Sequence, residues 1–412
     1  MLKNSFFSLF FFMTYVQAEV LPSEESLVAI ESPIEEETDL NYFQSLSAED
    51  KNLVENNEFN LNESVNDVEA FWNTNYELKR FSSRSSIDTL VKIEFLGRLK
   101  WQLIDTLSIY TKGLIVGRSG HTQFIYDRSD RSGGFHLLEF FFQWSAFPNF
   151  SFLHGIIEQS FLSAPLLVTD KTFPSVIGEW SVDYLSDFDL KFLLQLAIAS
   201  NFTEKVERIL QLQEAPLFLT SSLFLDSQNN FFDVSIEEKL TVFHYYNLPP
   251  DVANRSRIYG NTIDGLSNNS VFRHSFFGVH NNLGFQKIFS DLWALSTGVE
   301  FIYNVMAPEA YNEGVRVYGS VYHNYKETME IKLTGELFAN QSDTSVAYYN
   351  SETYGHNNRR GVLARLENHF FRSGLTVETE FVYSEPINFA EQSTIKEAYS
   401  FSIALKTNDL AI

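Results

Sequence analysis

The sequence predicts an all-β fold, a transmembrane antiparallel up-and-down barrel of about sixteen strands. Three observations carry that expectation. The first is the stretch Thr89 to Gly117, TLVKIEFLGRLKWQLIDTLSIYTKGLIVG. Val91, Ile93, Phe95, Gly97, Leu99, Trp101 and Leu103 alternate with Lys92, Glu94, Arg98, Lys100 and Gln102, so one strand face is apolar and the other charged. Strands of soluble sheets run about five or six residues, and a tilted membrane strand needs about ten. This alternation is long enough to span. The second is composition: 412 residues with 40 Phe, 19 Tyr and no Cys. That apolar mass is not gathered into a run long enough for a membrane helix; even Leu190 to Ala199 is broken by Lys191 and Gln195. Beyond the extreme N-terminus, only a closed barrel is left to cross a bilayer. The third is the recurrence of the pattern between connections that are alternately short and long.

Taken from the start, residues 1–18 read as a signal peptide, with Lys3, an apolar stretch from Phe6 to Val16 and a small-residue cleavage site at Val16-Gln17-Ala18. Residues 19–69 hold fifteen acidic residues against the single base Lys51, within a chain of net charge −23. Such a segment buries too little apolar area to offset its ordering entropy, and the expectation is a largely disordered or partly helical periplasmic segment. A solvated tail is one reading of it; a plug, cation-attracting funnel or docking arm is the other. Residues 70–412 form the barrel. Thr203 to Glu214 fits a helix or an extended strand equally.

Alternation returns at Leu190 to Ile198, Trp293 to Asn304, Met329 to Leu337, Leu375 to Phe381 and Tyr399 to Lys406. Short turns are expected at Asp105, Ala146 to Asn149, Ser186-Asp187, Asp226 to Asn230, Ser290-Asp291, Lys326 to Thr328 and Arg372 to Gly374. The longer connections are Ser119 to Gly134, Gln159 to Glu179, Leu248 to Ser270, Gln341 to Arg360 and Ser384 to Glu397. Short periplasmic turns opposite long external loops set the strand directions. Thr89 to Leu103 leads into a short turn, so closing the barrel requires one more strand before it. Phe71 to Phe81 supplies that strand, making sixteen, with about fourteen or eighteen as alternatives because strands near Val182 and Phe272 are weak.

The amphipathic hairpins, the interfacial aromatics Trp101, Tyr110, Trp144, Trp293 and Tyr303, the signal peptide and the short and long connections together resemble Gram-negative outer-membrane porin-type barrels. The resemblance covers Trp72 to Ile412. It implies an integral outer-membrane protein through which small hydrophilic solutes diffuse passively. Its partners would be outer-membrane lipid, lipopolysaccharide, those solutes and, as a homo-oligomer, other copies of itself. A barrel acting as an adhesin through its loops, with an occluded lumen, is the alternative. Such barrels commonly end in an aromatic residue, and this chain ends Asn408-Asp409-Leu410-Ala411-Ile412.

A lumen of this size admits water. The inward set expected to line it is Lys92, Glu94, Arg98, Lys100, Lys112, Glu300, Lys332, Glu336, Glu378 and Glu380. The basic residues cluster on one hairpin with Arg118, and Glu330, Glu367 and the other acids sit on C-terminal strands, which predicts a transverse field. In the apolar Gln159 to Glu179 stretch, Asp170 and Lys171 are the expected eyelet of a constricting loop. The cluster Arg118, His121, Asp127, Arg128, Asp130 and Arg131 suits divalent ions or lipopolysaccharide phosphates, or is a solvated loop. Nine scattered histidines and no G-x-S-x-G or H-E-x-x-H argue against an enzyme; no metal or other cofactor is implied, and the acidic balance excludes nucleic acid.

Overall fold

The period-two pattern is realised as long strands whose apolar faces look outward and whose polar faces look inward. The computed structural model describes residues 67–82, 87–121, 134–169, 171–185, 188–200, 215–229, 234–266, 269–290, 292–325, 328–351, 353–354, 356–388, 398–408 and 410–411. The expected signal peptide and most of the acidic segment lie outside them, as does the stretch from Thr203 to Glu214.

The barrel strands are β1 (Asp67–Ser82), β2 (Ile87–Ile104), β3 (Leu107–His121), β4 (Gly134–Phe147), β5 (Phe150–Glu158), β6 (Thr172–Leu185), β7 (Phe188–Ile198), β8 (Leu217–Asn229) and β9 (Val234–Tyr246). A helix α1 (Pro250–Ile258) and a two-residue pair, β10 (Ile263–Asp264) with β11 (Val271–Phe272), interrupt the series. The wall continues with β12 (Phe276–Ser290), β13 (Trp293–Asn304), β14 (Glu313–Tyr325), β15 (Met329–Asn340), β16 (Arg359–Phe370), β17 (Leu375–Pro386) and β18 (Ala398–Thr407). Each pairs antiparallel with its neighbours, β9 pairs directly with β12, and β1 pairs with both β2 and β18. The result is a closed barrel of sixteen strands. Leu410–Ala411, as β19, extends the seam by pairing with Trp72 and Phe71.

The outer surface carries Val91, Phe95, Trp101, Ile115, Leu194, Trp293, Leu333, Leu337 and Phe401, all exposed. A band this apolar around a closed sheet is the surface of an integral membrane protein of the outer-membrane type. Trp101, Trp144 and Trp293 belong to it. Tyr110 does not: it is buried inside, its ring stacked 4.8 Å from Phe141.

Several boundaries differ from expectation. Thr172 to Glu179 is strand rather than loop, because Phe173, Ser175 and Ile177 alternate inward against Pro174, Val176 and Gly178; the proline and glycine read as loop signals, yet both sit on the outer face. Strand β8 continues through Asp226 to Asn229, where a turn was expected. Val182 belongs to a full barrel strand, whereas Phe272 belongs to the short pair outside the wall.

Candidate functional site: the lumen and its inserted segments

Inward residues are held in place by strand alternation alone, and the charges among them are paired locally. Lys92 and Glu94 of β2 approach to 2.5 Å. Lys100 lies 3.5 Å from Glu69, and Lys112 donates to Glu158 at 2.8 Å. Lys332 meets Glu367 at 3.2 Å. Arg365 reaches Glu380 at 2.7 Å and Glu378 at 3.8 Å, and Lys406 meets Glu378 at 2.9 Å. Arg98 also faces inward, half-buried. The expected basic ladder opposite an acidic wall is therefore replaced by interleaved pairs, in which Lys92, Lys100, Lys112, Lys332, Arg365 and Lys406 each have a carboxylate on the same or a nearby strand. The sequence-level expectation missed Arg316 and Arg365, although Arg316-Tyr318-Ser320-Tyr322 opposing Val315-Val317-Gly319-Val321 was readable as alternation.

Glu300 of β13 organises the far wall. It is fully buried, 2.9 Å from His280 Nε2 and 3.1 Å from Arg316 Nε. Arg316 also approaches Glu336 at 3.6 Å, hydrogen-bonds the Tyr354 hydroxyl, and lies over the Tyr318 ring at 4.6 Å. Tyr318 can lie there because its cross-strand partner is Gly298, where an added Cβ would fall 2.4 Å from the phenol.

The connection 159–171 turns into the barrel instead of out to solvent. A 3-10 turn at Gln159–Leu162 ends on Ser163 in a left-handed conformation, and an Ala164–Val168 bridge closes the tip. From β5 and β6 the segment reaches the opposite wall. Lys239 donates to Ser163 Oγ at 2.8 Å, Asn282 to the Ser163 carbonyl at 3.3 Å, and the Leu166 amide to Glu300 at 2.9 Å. Leu162, Leu166, Leu167 and Val168 pack in one cluster with Phe173, Phe218, Phe243, Phe276, Ile302 and Phe338 of the wall. Fully burying each such aliphatic side chain is worth roughly 1.5–3 kcal/mol, enough to order a short loop. Lys171 is buried at the base of this segment with its ammonium 5.5 Å from the Tyr348 ring; Asp170 lies outside the described residues.

A second inserted segment, 341–358, went unnoticed at the sequence level because its many Asn and Ser residues read as solvated loop. Its Val346, Tyr349 and Tyr354 join the same cluster. It bonds directly to the first: Thr169 N to Tyr349 O at 3.1 Å, Ser351 N to Pro165 O at 2.9 Å, and Ser345 Oγ to Leu166 O at 2.7 Å. Asn261 and Asn357 each donate to the carbonyls of Ser342 and Ser345, which fixes the chain between them. Helix α1, with Pro250 in its first turn and Arg255 and Arg257 in its last, covers this segment. Arg255 hydrogen-bonds the Tyr348 hydroxyl at 2.8 Å, and Gly260 permits contact with Asn357 that any Cβ would block at 2.3 Å. Asp343 accepts from the Thr262 amide at 2.9 Å and from its hydroxyl, while burial pushes the carboxyl above its usual range.

Towards the short-turn end the lumen opens. Glu237 and Lys191 have side chains 40% and 28% exposed, whereas Lys92 and Glu94 at mid-barrel are nearly covered. The upper lumen across β6 to β17 is packed with apolar side chains around the Glu300, Arg316 and Glu336 group, and ionic pairs line the sector from β16 through β18 to β3, with Leu96, Leu114, Val116 and Leu138 as an apolar patch at its β2 to β4 end.

No family model matches this chain, and no curated protein matches it in sequence. Among solved structures, the barrel is similar to OprB of Pseudomonas putida in its high-pH structure, at TM-score 0.58 and 11% identity, covering 83% of this chain and 94% of that one. The outer membrane channel DcaP of Acinetobacter baumannii gives a TM-score of 0.49 at 10% identity over 84% and 97%. OmpF of Salmonella typhi, solved with daunomycin, gives 0.47 at 7% over 83% and 98%. At such identities the likeness is one of fold.

Proposed function

We propose that this chain, a sixteen-stranded barrel of the outer-membrane porin type, is a channel through which small hydrophilic solutes diffuse passively. The observation that carries the reading is the run of inward ionic pairs along β16, β17, β18, β1, β2 and β3, broken only on β2 and β3 by the apolar cluster of Leu96, Leu114 and Val116. It passes from Lys332 and Glu367 through Arg365, Glu380 and Glu378 to Lys92, Glu94 and Lys112. These groups are largely covered and matched in opposite signs, and a polar strip of this kind beside a lumen that opens at the short-turn end supports a hydrated passage along it, since a charge without partner or water costs several kcal/mol. Segment 159–171, with Lys171 at its base, narrows the passage from the opposite side. The pore-lining set read from sequence keeps its place in this proposal, as pairs of opposite sign rather than as a field.

A second reading is favoured by one observation, the apolar contact of segments 159–171 and 341–358 across the upper lumen. On that reading the barrel is occluded and acts through its external surface. Conductance of the purified mature protein in planar bilayers separates the two. Large stable steps, with swelling of liposomes in neutral small sugars, support the channel. Folded protein that stays silent supports occlusion.

A further inference from the structure

Residues 345–351 of the second inserted segment are bound on both flanks. On one side they meet the first inserted segment: Thr169 N donates to Tyr349 O at 3.1 Å, Ser351 N to Pro165 O at 2.9 Å and Ser345 Oγ to Leu166 O at 2.7 Å. On the other they meet helix α1 and the residues after it. The Tyr348 amide donates to Ser256 Oγ at 3.3 Å and the Ala347 amide to Asn261 Oδ1 at 2.8 Å. A strip bonded this way cannot leave either neighbour without stranding buried polar groups. Val346, Ala347 and Tyr349 are fully buried, so apolar contact is lost with them.

One side chain touches all three pieces. The Tyr348 ring has the Lys171 ammonium, at the base of segment 159–171, 5.5 Å from its centroid. The Arg255 guanidinium of α1 lies 5.2 Å from the same centroid and donates to the Tyr348 hydroxyl at 2.8 Å. Tyr259, the C-cap of α1, stacks on Tyr348 at 6.4 Å with the ring planes 17° apart. A ring facing two cations from separate segments holds both only while both stay near it. Helix α1 belongs to the connection from β9 to β12, one of the long ones, which puts this junction on the external side.

We propose that segments 159–171 and 341–358 form a single gate, locked from outside by α1, with Tyr348 as the pin. The proposal rests on the channel reading and adds its regulation. The upper lumen clears when both segments leave the wall together, and it stays closed while α1 holds Tyr348. Neither segment opens alone, because residues 345–351 are bonded to both the first segment and α1. Release at α1 is passed on to Leu166, whose amide is bonded to Glu300 of the wall.

Amide hydrogen exchange of the folded full-length protein reads this coupling without any current. Arg255→Gln alters α1 alone and removes its cation from the Tyr348 ring. It should speed exchange at 166–169 and at 345–351 by the same factor, roughly tenfold, as loss of one covered cation–π contact and its hydrogen bond allows. R255K keeps a cation at the ring and should fall between. Faster exchange confined to 345–351 would overturn the single gate.

The chain has no cysteine, so Ser256→Cys together with Tyr348→Cys gives one variant with two states. Reduced, it lacks the pin; oxidised, it ties α1 to the strip where Ser256 meets the Tyr348 amide. Folding is checked by heat-modifiable migration, and the cross-link by migration with and without reductant. Oxidation should slow exchange at 166–169 and suppress single-channel openings, and reductant should reverse both. A completed cross-link that leaves openings unchanged, in a variant that conducts when reduced, overturns the lock. Silence in both states counts against the channel reading, and exchange at 166–169 then decides the gate by itself.

Discussion

Glu300 shows how much one buried carboxylate can hold. It fixes His280 and Arg316 of the wall and the Leu166 amide of the inserted segment at once. Removing one member of such a set strands the others, at a cost of about 3–5 kcal/mol. E300A should therefore lower the denaturant midpoint of the folded barrel and make single-channel current noisier, while E300Q, which keeps an acceptor for Leu166, should lie between. Normal stability with quiet current in E300A would show that the segment is held by apolar contact alone. Asp343 makes a pH-dependent counterpart. Its folded pKa is raised, so the folded state favours the protonated carboxyl. The stability this contributes is complete below the unfolded value of about 3.9 and is lost as pH rises through the folded value. His274 faces the same carboxyl, 3.9 Å away. Protection of the 341–358 amides from exchange should be higher at about pH 4 than at about pH 7, and D343N should flatten the difference. An unchanged difference in D343N would assign the effect to another group.

At the level of elements, the inserted segment 159–171 offers the direct mutational test of the passage. Deleting Ser163 to Thr169 leaves β6 whole and should raise single-channel conductance; an unchanged value would place the narrowest point elsewhere. A broader deletion, from Ser163 to Ser175 within the loop expected over Gln159 to Glu179, would cut into β6. That difference marks where sequence legibility ends. Alternation along Thr89 to Leu103 and Trp293 to Asn304 reveals strand identity and facing, because each residue's side is fixed by the backbone period. Parity of long and short connections even yields the first strand and the total. What remains illegible is the partnering of inward groups. Lys112 with Glu158, or Arg365 with Glu380, depends on register and closure, which no local period encodes. Segment 341–358 was hidden for another reason: its Asn side chains satisfy backbone carbonyls inside the protein, and the same residues would serve equally well in water.

Across the molecule, net charge and lumen charge are decoupled. The chain carries −23 overall, yet the inward cations and carboxylates come as neighbours of opposite sign. The open passage should discriminate only weakly between potassium and chloride, and the double change E378Q with E380Q should tilt it towards anions. Strong cation preference in the unmodified protein would instead point to the acidic segment 19–69 as the selecting element. The seam between β1 and β18 has a consequence of its own. Thr74 and Thr407, 333 residues apart, are joined there by hydrogen bonds of 2.8 and 3.2 Å. Every other neighbouring pair of wall strands is far closer in sequence, the widest connection being the helix-bearing one from Tyr246 to Phe276, but this one pays the whole chain's loop-closure entropy and so forms late. Until it does, the nascent sheet has two raw margins, each able to template another chain. A chain stopped before Ala398 would keep such margins permanently, and its fate in the cell is clearance by proteolysis or aggregation rather than a slightly smaller barrel.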